Sequence, residues 1–201
     1  MKKVEFLFDF GSPNAYLCHK VIPAIEERTG AKFEYVPVLL GGLFKLANNR
    51  SPMESFKDIP NKMAYQRLEM KRFIDRHALE RFRFNPHFPI NTLQLMRGAI
   101  AAQGLGCFAP YVDAMFTAMW ENGRNMGDAA VVTTELQAAG LDAEAIIAAT
   151  QSPPVKERLI ANTEGAHLRG AFGIPTFFVG KEMFFGKDTL RDVEEEITRA
   201  D

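Results

Sequence analysis

Cysteine is nearly absent: Cys18 and Cys107 are the only two in 201 residues. Their spacing fits neither a disulfide framework nor a set of metal ligands. No metal site is therefore expected, and each thiol reads as a small buried residue. A reducing, cytoplasmic compartment is the matching expectation. Net charge is equally scarce. With 24 basic and 25 acidic residues the formal charge is −1, which supplies no bulk attraction to nucleic acid or to an anionic membrane. No apolar run approaches the roughly 18 residues of a spanning helix. The opening MKKVEFLFDF carries Glu5 and Asp9 and no small-residue cleavage site, so it does not read as a signal peptide. Repeats, low-complexity tracts and flexible linkers are missing as well. Apolar residues, by contrast, make up 47% of the chain, and 17 of them are Phe. That is enough for one sizeable core.

The period of the apolar residues sets the expected order of elements. Residues 4–10 read as a buried strand. Ser12 suits a helix N-cap and Pro13 the first helical position. The helix then runs to Thr29-Gly30, with Pro23 expected to kink it. Residues 33–40 form a second strand, and strand–helix–strand at this spacing implies a parallel crossover. From Gly41 to about Gly165 the periodicity is mostly helical. Helices are expected over 61–78, 91–103 with Asn91 as cap, 108–123, near 129–150 and over 152–168. FRFNPHFPI (82–90) is an aromatic connection broken by prolines. After Gly170 the period returns to two: 174–180 and 182–186 form a hairpin, and 187–200 closes with a helix. The order βαβ, helical block, ββα predicts an α/β fold, a thioredoxin-like sheet with helices on both faces. Residues 1–40 and 166–201 form the discontinuous sheet domain and 41–165 the helical insertion.

Two short segments carry candidate chemistry. Ser12 has a bland role as a helix cap, which contributes about 0.5–2 kcal/mol. It also lies beyond the carboxyl end of a strand, where open α/β sheets bind ligands. Its helix N-terminus favours an anion. A hydroxyl there donates to a negative atom such as a thiolate. It is poorly placed as a nucleophile, because no His–acid pair is evident and GSP is not the G-x-S-x-G elbow. In Gly173-Ile174-Pro175-Thr176, the proline is either a first or edge strand residue or a cis peptide that exposes the Ile174 backbone. His87 is a candidate acid–base group by residue type, but its neighbours Phe84, Phe88 and two prolines make it a packed loop residue. Met115, Met119 and Trp120 fit either a core or a pocket wall.

Taken together, these motifs resemble a known family. The strand–turn–helix start, the helical insertion and the late GIPTFF segment resemble the DsbA-like branch of the thioredoxin superfamily. Its redox enzymes carry C-P-x-C where this chain has Ser12-Pro13-Asn14-Ala15, so disulfide exchange at this turn is excluded. With LLGGLFKLANNRSP (39–52), RFNPHFPIN (83–91) and FGIPTFFVGKEMFFGKDTL (172–190), the whole chain is similar to the 2-hydroxychromene-2-carboxylate isomerase and kappa-class glutathione transferase family. That resemblance implies glutathione as cofactor and Ser12 facing its sulfur. It implies the Ile174 backbone, before cis-Pro175, pairing with the cysteinyl part. Asp188 would receive the γ-glutamyl amine, and Asn49 and Lys62 would hold the tripeptide backbone and glycine carboxylate. Lys187 departs from the small hydroxyl residue or Asn frequent there in relatives. The implied activity is a glutathione-dependent cis–trans isomerisation of an aromatic 2-oxoacid or its chromene form, in aromatic catabolism, by a homodimer. The Phe-rich insertion would line the substrate pocket. The alternatives are a kappa-type transferase that consumes glutathione, or a non-catalytic thiol- or peptide-binding module.

Overall fold

The computed structural model describes residues 2–199. Strand β1 (Val4–Phe8) runs parallel to β2 (Phe33–Pro37), joined by helix α1 (Pro13–Thr29). The late hairpin, β3 (Thr176–Val179) and β4 (Glu182–Phe185), adds antiparallel on the other side of β1, giving the order β2-β1-β3-β4. Between them lie α2 (Leu40–Leu46), α3 (Pro52–Ser55), α4 (Pro60–Arg76), α5 (Leu93–Gly104), α6 (Phe108–Trp120), α7 (Ala129–Ala138), α8 (Ala143–Ala149) and α9 (Pro153–Leu168). A 3₁₀ turn (Lys187–Thr189) leads into α10 (Leu190–Thr198). Residue 200, the last of the helix expected over 187–200, lies outside the described residues. Among the described residues no helix is long and apolar enough to cross a membrane.

Apart from Glu5, central β1 is apolar on both faces because both are covered. Phe6 and Phe8 are fully buried. The Phe6 ring stacks on Phe177 of β3 at 5.2 Å and meets Tyr35 of β2 edge-on at 4.9 Å. Each such burial contributes about 1.5–3 kcal/mol. Helix α1 buries Leu17, Cys18, Val21, Ile22 and Ile25. Pro23 sits inside it without ending it, and Gly30 closes it in the left-handed region (φ 72°), donating its N–H to Glu26 O at 2.8 Å. Positive φ there is what glycine tolerates and other residues resist.

Three expectations are corrected. The first strand ends at Phe8, because Asp9, Phe10 and Gly11 form the turn into α1. The second strand ends at Pro37 instead of 40. The buried Asp9 carboxylate accepts the Leu40 N–H at 2.7 Å and turns the chain there into α2, which strand periodicity did not reveal. Asn91 is not the cap of α5. Thr92 holds that position, while Asn91 Oδ1 accepts the Leu93 N–H at 3.0 Å from one residue further out. Helix α4 is unusual: of its 17 residues only Phe73 is buried.

Candidate active site

The turn after β1 is built from Asp9. Its side chain is completely buried and accepts three donors: Gly11 N–H (2.8 Å), Leu40 N–H (2.7 Å) and Thr92 Oγ1–H (3.1 Å). These tie β1, α2 and the start of α5 into one knot. Burial nevertheless outweighs the three donors and raises the Asp9 pKa above the ordinary carboxylate value. From this knot the chain enters α1 through Ser12, whose N–H donates to Asp9 O at 3.0 Å. Ser12 Oγ accepts the Ala15 N–H at 3.2 Å, the expected N-cap bond. The same hydroxyl donates to Ile174 O at 3.2 Å. The Ile174-Pro175 bond is cis, which decides between the two readings of that proline. Ser12 is only 4% exposed.

The loop around Ile174 gathers further candidates. Asn49 Nδ2 donates to Phe172 O at 2.8 Å, fastening the exposed segment after α2 to this loop. Gly173 has no room for a side chain, since a Cβ would stand 2.9 Å from the Phe185 ring. Gly186 N–H donates to Pro175 O at 2.9 Å, which brings the Lys187-Asp188 pair alongside. Asp188 is exposed and Lys187 is buried, and the Lys187 ammonium lies 2.6 Å from both carboxylate oxygens of Asp188. Ser12, Ile174, Pro175, Asn49 and Asp188 are thus linked by short backbone and side-chain steps. Lys62 stands apart: exposed on α4, its ammonium lies 3.6 Å from the centre of the Phe56 ring.

Other residues resolve differently from the sequence reading. His87 is exposed, not packed; the packed residue of its loop is Asn85, whose amide donates to Met119 O and Arg124 O, both at 2.8 Å. Met115, Met119 and Trp120 are completely buried, and Trp120 Nε1–H donates to Phe10 O at 2.8 Å, so they belong to the core. Burial pushes the Cys18 thiol well above its usual pKa, which makes it an inert core group. A recess of about 260 Å³ opens in the helical block among α5, α7 and α8, and Tyr111 is its one aromatic wall residue; the others include Leu136, Ile146 and Met126. Sequence reasoning missed Asp9, Asn85 and Lys187 as organising groups. A carboxylate inside an apolar strand pattern was the available signal for Asp9.

A capped helix start lies beside a loop backbone, with the exposed amide of Asn49 and the exposed carboxylate of Asp188 on the same loop system. Neither position of the redox turn carries a cysteine. The chain is 27% identical to the 2-hydroxychromene-2-carboxylate isomerase of Sphingobium xenophagum over 193 residues, 96% of each chain. It is 23% identical to human glutathione S-transferase kappa 1 over 210 residues, covering 94% of this chain and 88% of that one. A solved 2-hydroxychromene-2-carboxylate isomerase superposes with a TM-score of 0.79 at 26% identity, covering 96% of this chain and 92% of that one. The model of the DSBA-like thioredoxin domain matches residues 3–198, and the chain belongs to that family.

Proposed function

We propose that this protein is a glutathione-dependent isomerase of the 2-hydroxychromene-2-carboxylate type, acting on an aromatic 2-oxoacid or its cyclic chromene form. The observation that carries the reading is Ser12: a buried hydroxyl at the N-cap of α1, bonded to the backbone before Pro175, where a redox relative would hold its thiol. Bound glutathione would supply the covalent chemistry, its sulfur adding to the conjugated double bond and leaving after rotation. The chain's own contribution is to bind, orient and ionise.

Ionisation is the step that Ser12 serves. A free thiol has a pKa of about 8.5, and each unit of lowering needs about 1.4 kcal/mol of preference for the thiolate. The N-terminus of α1 together with one hydroxyl supplies about one to two units. In the present structure the single Ser12 hydroxyl proton goes to Ile174 O. A thiolate competes well for it, because a charge-assisted bond is roughly twice as strong as one between neutral groups. The displaced Ile174 carbonyl and its neighbouring N–H then serve the ligand backbone as an added strand would. Asn49 and Lys62 hold the rest of the tripeptide in this reading, with its γ-glutamyl end beside Asp188. The exposed apolar side chains Ile59, Tyr65 and Leu68, at and along α4, support a homodimer. The two unpaired cysteines support a cytoplasmic location.

Ser12→Ala tests the proposal. The ultraviolet absorbance of the thiolate, titrated with the enzyme in excess, should report a bound-thiol pKa about one unit higher in the variant. Isomerisation should slow with it. An unchanged thiol pKa would refute the role. Product analysis separates the nearest rival: glutathione recovered unconsumed means isomerase, and glutathione in the product means transferase.

A further inference from the structure

Lys187 is the one residue of this site whose environment runs against the rest. The backbone before it is pinned to the Ile174-Pro175 loop through Gly186 N–H and Pro175 O. Its side chain is only 5% exposed, whereas that of Asp188 is 63% exposed. The ammonium contacts Oδ1 and Oδ2 of Asp188 at 2.6 Å each and lies 5.3 Å from the centre of the Phe73 ring of α4. Phe73 is the only buried residue of that helix. The buried thiol of Cys18 on α1 also feels this charge, as does Glu69 on α4, which Arg72 already pairs at 2.6 Å. Asp188 is therefore the direct anionic partner of a buried cation.

A buried ammonium that loses its carboxylate is strongly destabilising. Lys187 consequently cannot give Asp188 up to another cation without a penalty. The pair has no net charge. Its field is that of a small dipole, and a second ammonium approaching Asp188 also meets repulsion from Lys187.

From this, and resting on the glutathione reading above, we propose that Lys187 is a specificity-determining residue. By neutralising Asp188 from within, it removes the γ-glutamyl α-amino group as a recognition handle. The site then selects γ-glutamyl thiols whose amine is acylated or absent about as readily as glutathione itself. Specificity is a difference of affinities, and here the charged contact that would create the difference is already occupied.

Calorimetric titration of the whole protein with glutathione and with N-acetylglutathione tests this. The wild type should bind both, with affinities differing by less than about fivefold. Lys187→Thr releases Asp188 and should raise the preference for glutathione beyond about fivefold. Lys187→Met, which keeps an apolar stem against Phe73, should do the same if the threonine variant folds poorly. A wild type that already loses more than about fivefold on acetylation overturns the inference while leaving the glutathione reading intact. So does a wild type indifferent to acetylation whose folded variants remain indifferent. Failure of the wild type to bind either thiol overturns the glutathione reading, and this inference with it.

Discussion

Three donors from three separate segments converge on the carboxylate of Asp9: Gly11 N–H, Leu40 N–H and the Thr92 hydroxyl. A single side chain thus fixes the angle at which the chain enters α1 and hence the position of Ser12. The arrangement has an internal tension, since the same burial that sharpens these bonds also disfavours the charge. Asp9→Ala removes the acceptor of all three donors, and each orphan that stays buried costs about 1–3 kcal/mol before water or relaxation compensates. The expected net loss is about 2–4 kcal/mol in urea unfolding. Asp9→Asn keeps one acceptor oxygen but points an amide N–H at a donor, so it should fall between wild type and Ala. If both variants unfold at the wild-type midpoint, Asp9 does not organise the turn. At this scale Lys187 obeys a related rule: a buried charge dictates what its partner can do. The consequence proposed there is for ligand choice, not for backbone geometry.

Helices α1 and α6 are joined by polar contacts at their edges. Asp113 of α6 lies 3.4 Å from His19 Nε2 and 3.1 Å from Lys20 Nζ, and His19 Nδ1 lies 3.0 Å from the Tyr35 hydroxyl on β2. The bond to His19, followed by Lys20, holds the Asp113 carboxyl well below its ordinary value of 3.8. Because the native pKa is depressed, the stabilisation is present above 3.8 and is lost as pH falls below it toward the native value. More than half of the Asp113 side chain is exposed, so solvent screening limits the pair to no more than about 1 kcal/mol. Asp113→Asn should therefore be slightly less stable than wild type at neutral pH, with the gap closing in acid. A gap that persists or widens in acid would assign the α1–α6 link to other contacts. Element by element, the sequence was most legible where the signal was local. Ser12-Pro13 and Gly30 bracket α1, and alternating apolar residues about Gly180 give the hairpin. Helix α2 stayed hidden because its start is fixed by Asp9, which lies 31 positions away in the chain. The candidate site was half legible. The turn and the Ile174-Pro175 loop carry motifs, whereas the approach of the Lys187 ammonium to Phe73 (5.3 Å) joins a helix whose amphipathic pattern shows nothing of that contact.

Across the whole molecule, the apolar core ignores the division between the sheet and the helical segment 41–165. Buried residues of β1, α1 and β3 belong to one continuous cluster with those of α5, α6 and α9. Trp120 sits at this junction. It belongs to α6, is fully buried, bonds to Phe10 O just past β1, and faces the rings of Phe82, Phe84 and Phe88 from the aromatic connection. It is also the chain's only tryptophan, so its fluorescence reports on the junction alone, whereas far-ultraviolet circular dichroism reports on all helices. A shared core predicts that both signals lose their native values at one urea midpoint, in a single cooperative step. The helical segment would then be an insertion in sequence without being an independent unit in stability. Fluorescence that changes at clearly lower urea than the helical signal would mean that the junction opens while the helices persist. In that case the contacts around Trp120 join two separately folding bodies, and the Asp9 knot becomes the boundary of one of them instead of the centre of a single core.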